Sequence, residues 1–248
     1  MKIAQVVGVI AVVWLAGLSL TARRDPLGSL PSALLWAWER PEDLRFAPQL
    51  GVGVAALDRT ITLRGRALRV DPRRQPVRLD PATPVVSVVR LEADAAAGDA
   101  ADPARVAEAI AAAARRPGAR ALQIDFDATA SQRRFYTRLL AEVRQRGPAD
   151  LPISMTALAS WCTGDRWIED LPVDEAVPML FEMGPDRAAV LRRVRHGLPF
   201  GDGPCGRAIG ASPREPLARV PLADRTYLFA YEPWTIESAR AALRGVAR

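Results

Sequence analysis

Eight short apolar runs of strand length, separated by stretches with helical periodicity, constrain the fold of this chain more than any other feature. Regular alternation of strands and helices is what a (β/α)8 barrel requires, and a length of 248 residues suits one such domain. An open doubly wound sheet is the alternative, but no glycine-rich phosphate loop follows any run. We therefore predict an α/β fold, a single-domain (β/α)8 TIM-type barrel over residues 33–248. The predicted strands cover residues 33–38, 51–57, 85–91, 121–127, 152–159, 175–183, 207–211 and 226–231.

The segments between these strands show the spacing of amphipathic helices. Apolar residues recur every three or four positions and predict helices over residues 102–116, 131–145, 186–195 and 235–245. Shorter helices are predicted over residues 41–45 and 166–170. Residues 61–70, centred on Gly65, are predicted to form an extra hairpin between the second and third units, and residues 93–101 a low-complexity loop.

The N-terminus predicts export. Lys2 precedes a charge-free apolar run over residues 3–20, which is typical of a signal peptide and barely long enough for a membrane anchor. We expect residues 1–22 to be one or the other and the protein to be periplasmic or extracellular. In such a compartment Cys162 and Cys205 could form a disulfide, although two buried thiols are an equally good expectation.

Composition argues against two classes of site. The formal charge of +6 comes almost entirely from arginines scattered among acids, since Lys2 is the only lysine. Without a basic stripe, a nucleic-acid partner is not predicted. Two cysteines and the single histidine, His196, cannot make a standard zinc site. We predict no metal and no cofactor, and the oligomeric state stays open.

The fourth predicted strand carries the most informative residues. Its alternation puts Gln123, Asp125 and Asp127 on one face. The two carboxylates lie about 6.6 Å apart along a strand, and in a poorly solvated site one of them keeps its proton while the other ionises. That difference in pKa is what an acid/base catalyst needs. Solvated or arginine-paired aspartates at a strand end are the alternative interpretation.

Barrels collect functional groups at the carboxyl ends of their strands, and several aromatic and polar residues fall at the predicted ends. Four of the six tryptophans are among them. Any one tryptophan could simply be packing, but a group of four beside carboxylates is typical of a surface that stacks sugar rings. The candidate binding residues are Trp36, Trp38, Arg90, Gln123, Trp161, Met179, Phe181, Tyr231, Glu232 and Trp234.

Two of these segments resemble the family 18 glycoside hydrolases, the chitinase-like barrels. The segment ending at Asp127 is similar to a degenerate form of that family's fourth-strand motif, which ends Asp-x-Asp-x-Glu. The resemblance implies that Asp127 is the catalytic acid, that Asp125 orients the acetamido group of the substrate, and that Gln123 replaces the outermost aspartate.

The segment ending at Glu182 similarly resembles the sixth-strand Met-x-Tyr-Asp of that family, and Trp234 is placed like the tryptophan that floors its sugar site. The sequence departs from these motifs. Asp127 is one methylene shorter than glutamate, Phe181 lacks the tyrosine hydroxyl, and Glu182 is one methylene longer than aspartate. The departures argue against chitinase-type, substrate-assisted hydrolysis and leave other glycosidic substrates open.

A second resemblance covers most of the chain. Residues 35–44, 123–127, 131–133, 156–162 and 171–179 are similar to a bacterial family of exported proteins known only as a domain of unknown function. The resemblance runs from about residue 34 to residue 234. It implies a single intact domain and no particular reaction.

Together these features predict an exported, glycoside-hydrolase-like barrel that binds a carbohydrate at its mouth. In the enzymatic interpretation, Asp127 protonates the leaving oxygen, Asp125 tunes the pKa of Asp127, and Glu182 or Glu232 is the second carboxylate. The alternative is a non-catalytic glycan-binding or structural protein of the cell envelope.

Overall fold

The structure is a computed structural model that describes residues 25–164, 167–196, 200 and 203–246. The predicted export segment, residues 1–22, lies outside the described residues. Within the described part, no helix has both the length and the apolar character needed to cross a bilayer. The strands are β1 (Ala33–Ala37), β2 (Glu42–Asp43), β3 (Gly53–Arg64), β4 (Ala67–Pro72), β5 (Val77–Arg78), β6 (Val85–Ala93), β7 (Ala119–Asp125), β8 (Ile153–Leu158), β9 (Glu175–Met179), β10 (Ala208–Ala211) and β11 (Arg225–Phe229). The helices are α1 (Ala97–Ala100), α2 (Pro103–Ala114), α3 (Arg133–Arg146), α4 (Ala159–Thr163), α5 (Arg187–Arg195) and α6 (Ile236–Val246).

Eight parallel strands close into a barrel. Their order is β1-β11-β10-β9-β8-β7-β6-β3, and β1 closes the ring because it also pairs with β3. Every neighbouring pair in the ring is parallel. The predicted (β/α)8 TIM-type barrel is confirmed, and each of the eight predicted strands overlaps one barrel strand.

The helical layer is less regular than the prediction. The four longer predicted helices correspond to α2, α3, α5 and α6. The short helix predicted over residues 41–45 is wrong, because Glu42–Asp43 pairs with Val77–Arg78 in a small parallel sheet. Residues 167–170, the described part of the other short predicted helix, form turns. Two short helices were missed: α1 lies in the predicted loop, and α4 follows directly after β8.

The hairpin after the second barrel strand is confirmed, with a difference in its boundaries. The barrel strand and the first arm of the hairpin are one continuous strand, β3, which turns at Gly65 and returns as antiparallel β4. Gly65 has a φ of 54°, a conformation that glycine adopts without steric penalty. No helix lies between β3 and β6 among the described residues, so this hairpin occupies the place of the second helix.

Two apolar layers hold the barrel in place. Alternate residues of each strand fill the barrel interior, where Leu34, Ala55 and Val88 are buried. The intervening residues, such as Leu122 and Ile124, pack against the helices outside. On β7 this alternation sends Gln123 and Asp125 towards the barrel axis, as the sequence predicts.

A polar chain crosses the lower half of the interior. Trp36 Nε1 donates to Gln123 Oε1 (2.8 Å), and Gln123 Nε2 donates to Ser154 Oγ (3.1 Å). Ser154 in turn donates to Glu175 (3.0 Å), whose other oxygen accepts from Arg225 (2.5 Å). Burial raises the pKa of Glu175, and the neighbouring Arg225 opposes that rise. Each side chain named here has at least one hydrogen-bond partner, as a low-dielectric interior demands.

Cys162 and Cys205 form a disulfide, with 5.8 Å between their Cα atoms. The two cysteines follow from opposite ends of the barrel, a difference in height, since Cys162 comes after the carboxyl end of β8 and Cys205 comes before the amino end of β10. Helix α4 removes it by carrying Cys162 away from the strand end, towards the turn before β10 that contains Cys205. The bridge therefore ties two adjacent outer connections of the barrel together.

We expect reduction of this disulfide to lower the free energy of unfolding by about 3–4 kcal/mol, because its 43-residue separation closes a long loop in the unfolded chain. Denaturant titrations with and without a reducing agent measure the change. The double variant Cys162→Ser/Cys205→Ser is the control and should show no response to the reductant. Equal unfolding midpoints for the oxidised and reduced wild-type protein would contradict the prediction.

Candidate functional site

A pocket of about 510 Å³ opens at the carboxyl ends of the barrel strands, and we call it the mouth pocket. It combines four carboxylates, two at the end of β7 and two after β9, with one arginine and several apolar side chains. It is lined by Trp38, Arg90, Asp125, Asp127, Leu158, Ala159, Ser160, Met179, Phe181, Glu182, Met183, Gly184, Pro185, Asp186 and Phe229. Seven of the residues predicted from the sequence are therefore brought together: Trp38, Arg90, Asp125, Asp127, Met179, Phe181 and Glu182.

Asp125 is fixed in place at the base of this pocket. Arg90, its neighbour on β6, donates from Nη1 to Asp125 Oδ2 (2.7 Å), and Thr156, from β8, donates to Oδ1 (2.8 Å). The residue is only 3% exposed. Both carboxylate oxygens thus have a donor, which is the condition for a buried negative charge.

Asp127 has a different environment. It lies two residues past Asp125, is exposed to solvent, and makes no hydrogen bond to any described residue. Partial burial raises its pKa first, and the charges of Asp125 and Glu182 raise it further, while Arg90 acts in the opposite direction. Asp127 therefore keeps its proton to a higher pH than an ordinary aspartate. The alternative interpretation from the sequence, solvated or arginine-paired aspartates at a strand end, also fits this geometry, because Asp125 is paired with Arg90 and Asp127 is exposed.

Glu182 is held in an unusual backbone conformation. Its φ is 48°, in the left-handed region that non-glycine residues rarely adopt. Its N–H donates to Glu215 Oε1 (3.0 Å), and the Tyr231 hydroxyl donates to its Oε1. That hydrogen bond raises the pKa of Tyr231 to about 12. Residues held in strained conformations by several contacts cluster at functional sites.

Aromatic rings form one side of the mouth pocket. Trp38 is half-buried, and the guanidinium carbon of Arg90 lies 6.0 Å from the centre of its ring. Trp36 is fully buried beneath it, 4.3 Å between ring centres, and stacks on Phe229. The prediction that Trp36 and Gln123 contact the ligand is thus corrected. Neither residue is exposed, and both support the pocket from below.

Three further predicted residues lie away from the mouth pocket. Trp161 belongs to α4 and packs against Trp167 in the helix-side core. Trp234 is 4% exposed and donates from Nε1 to the Trp36 carbonyl (3.1 Å) from outside the barrel. Glu232 is exposed, and its carbonyl accepts from Arg40 (2.7 Å).

These three residues lie outside the mouth pocket for a common reason. The two-residue alternation that orients side chains ends with the strand, at Leu158 in β8 and at Phe229 in β11. Beyond those residues the direction of a side chain is set by helices and turns. Tyr231 is an intermediate case. It lies on the rim and reaches the site only through its hydrogen bond to Glu182.

Sequence reasoning also missed residues that the pocket needs. Thr156 faces the barrel axis one strand away from Asp125, and Phe229 supports both Trp36 and Phe181. Alternation along the predicted strands could have identified both, because Thr156 and Phe229 share the inward phase of their strands. No group of three or more potential metal ligands occurs within the part of the chain that the structure describes.

A second cavity, of about 430 Å³, lies outside the barrel between α6 and the connection from β10 to β11. That connection contains no helix, so the apolar faces of Leu217, Leu228 and Ala242 border a groove. The rim residues Tyr231 and Glu232 are among its borders. The paired carboxylates Asp125 and Asp127 line the mouth pocket and not this cavity.

Comparison with known proteins gives a match over part of the chain and no reaction. Residues 81–177, which include β6, β7, β8 and Asp127, match a family described as Domain of unknown function (DUF3142). No curated protein matches the chain. No solved structure matches it either. The site must therefore be interpreted from its own geometry.

We expect Asp127→Asn to raise the melting temperature at neutral pH. The raised pKa of Asp127 means that the unfolded state binds fewer protons above the ordinary value of 3.8, so this group costs stability as the pH rises. Asparagine keeps the shape and removes the charge. The gain should shrink as the pH falls below 3.8, where the folded and unfolded aspartates are both protonated.

Thermal melts of the wild-type protein and the variant across this pH range measure the effect. Asp150→Asn, at an exposed loop position before β8, is the matched control and should show little change. A variant that is less stable than the wild type at neutral pH would show that Asp127 has a stabilising partner instead.

Proposed function

We propose that the mouth pocket binds a carbohydrate and that Asp127 acts as a general acid on its glycosidic oxygen. The supporting observation is the contrast between two neighbouring carboxylates. Asp125 has two hydrogen-bond donors, whereas Asp127 has a raised pKa and faces the open pocket. Environments that separate the pKa values of two acids allow one to give a proton while the other stays charged.

In this proposal each group has a defined task. Asp127 protonates the leaving oxygen, and Asp125, held by Arg90 and Thr156, stabilises the positive charge that develops on the sugar ring. Glu182, oriented by Tyr231, is the second carboxylate that glycosidases use as base or nucleophile. The half-buried face of Trp38 offers a surface on which a sugar ring can stack.

We also propose that the protein is exported. The disulfide between Cys162 and Cys205 supports this location, since such bonds persist in oxidising compartments and are rare in the cytosol. The predicted signal peptide or anchor over residues 1–22 is consistent with it. The expected partner is a glycan of the cell envelope or the surroundings.

Non-catalytic glycan binding is the second candidate. The observation that favours it is the hydrogen bond from Tyr231 to Glu182, which occupies an oxygen of the carboxylate that hydrolysis would need. In that case the pocket holds a sugar through Trp38 stacking and hydrogen bonds to its acids and Arg90. Hydrolysis assays on the same glycans separate the two candidates.

We expect Asp127→Asn to abolish hydrolysis and to leave glycan binding largely intact, because the amide keeps the shape and loses the transferable proton. The measurement combines binding to a glycan panel with assays for released reducing ends. Trp38→Ala should weaken binding about tenfold through lost stacking. Glu232→Gln, a candidate from the sequence that lies outside the pocket, is the control and should change neither.

Binding that survives Trp38→Ala unchanged would argue against a stacking site. Turnover that survives Asp127→Asn would remove Asp127 as the acid. Binding without release of reducing ends from any glycan would favour the non-catalytic candidate.

The pH dependence of hydrolysis should respond to Asp125. A general acid loses activity as the pH rises through its pKa, and the charge of Asp125 is the second largest cause of the raised pKa of Asp127. Asp125→Asn removes this repulsion and frees Arg90 to act on Asp127. The basic limb of the kcat profile should therefore move to lower pH. An unchanged limb would contradict the electrostatic link, and Glu232→Gln is again the control.

A further inference from the structure

The hairpin formed by β3 and β4 rises above the barrel mouth and has two different faces. Ile61 and Leu63 are buried in the helix-side core, where Leu68 and Val70 pack against them. Since strand residues alternate, Thr60 and its neighbours of the same phase point the other way, towards the mouth. The hairpin is thus a wall with an apolar outer face and a polar inner face.

The register of the sheet makes this inner face continuous with the mouth pocket. Thr60 of β3 is paired with Asp71 of β4 on one side and with Arg90 of β6 on the other. Arg90 is in turn paired with Asp125 of β7. One polar row therefore crosses four strands, and three strand spacings amount to about 14 Å. This span is longer than a single sugar ring.

A cleft of about 390 Å³ lies along this wall, and we call it the hairpin cleft. Its lining includes Glu39, Thr60, Thr62, Arg69, Asp71 and Glu92. It meets the mouth pocket at two places. Glu39 follows Trp38 in the chain, and Glu92 Oε1 lies 3.4 Å from Arg90 Nε.

The charges of the hairpin cleft indicate what it can hold. Its three carboxylates, Glu39, Asp71 and Glu92, face two guanidinium groups, Arg69 and Arg74. Asp71 is paired with both arginines, at 2.9 and 3.6 Å. A cleft with no excess of positive charge does not attract a polyanion. Its mixture of donors and acceptors, hydroxyls included, suits a neutral ligand rich in hydroxyl groups.

We propose that the hairpin cleft is a second subsite, which holds further sugar units of a neutral oligosaccharide whose end occupies the mouth pocket. The proposal rests on the carbohydrate-binding function proposed above and narrows it to a chain of several units. A small fragment could fill the mouth pocket alone. The continuous polar row is what requires a longer ligand.

The test compares ligand length in matched variants. Binding is measured for neutral oligosaccharide series from disaccharide to hexasaccharide, built from glucose or N-acetylglucosamine, and for hexuronate oligomers of the same lengths. Thr60→Val/Thr62→Val removes two hydroxyls and keeps the branched shape that strands favour. Thr226→Val, a half-buried strand position at the opposite end of the barrel, is the control.

We expect the wild-type protein to bind longer neutral members more tightly than the disaccharide. The double variant should lose about tenfold in affinity for the long members, the value of two modest hydrogen bonds, and bind the disaccharide as before. Thr226→Val should behave like the wild type throughout. Thermal melts establish that each variant is folded.

Three results would overturn the subsite. The first is an affinity that does not rise with ligand length. The second is a double variant whose affinity rises with ligand length as much as that of the wild type. Either leaves the function of the mouth pocket intact. The third is tighter binding of hexuronate oligomers than of neutral ones. Absence of wild-type binding to every member would instead refute the carbohydrate function itself, and the subsite with it.

Discussion

The arrangement of the site depends on the closure of the sheet. Strand β1 pairs on one side with β11 and on the other with β3, so the sheet has no edge between its first and last strands. Closure forces the carboxyl ends of β6, β7 and β9 towards one opening, and it turns alternate residues of each strand towards one axis. Arg90, Asp125 and Met179 meet only because of this geometry, since they are far apart in the sequence.

Much of the fold could be predicted because buried elements have characteristic patterns of apolar residues in the sequence. Strands that are covered on both faces are apolar runs, and the helices outside them are amphipathic, so all eight barrel strands and the four longer helices were visible. The elements that were not predicted correctly each have a local cause. Residues 41–45 pair with β5, a partner that no short-range pattern reveals. Helix α4 begins immediately after β8, and the predicted strand, residues 152–159, includes only its first residue, Ala159.

The predicted site residues fall into two groups, those within strands and those beyond the strand ends. Asp125, Gln123 and Arg90 lie within strands, and alternation gave their directions correctly. Trp161 and Trp234 lie beyond strand ends, where a helix and a turn direct them into the outer layer. Glu182 also lies beyond its strand and faces the pocket because Tyr231 and Glu215 hold a strained backbone. No periodicity could have foreseen that, since the restraints come from distant parts of the chain.

Arg90 connects the two parts of the proposed binding surface. Its guanidinium binds Asp125 on one side and lies beside Glu92 on the other, while Trp38 covers it. Because Arg90 compensates the charge of Asp125, it limits the repulsion that Asp127 feels and so restrains the rise in the pKa of Asp127. A ligand that spans both clefts must pass this side chain. Binding in the hairpin cleft that drew the guanidinium towards Glu92 would weaken its hold on Asp125, and the proton on Asp127 would then be held more tightly. In the proposed binding mode, Arg90 alone would therefore link occupancy of the hairpin cleft to the acidity of Asp127.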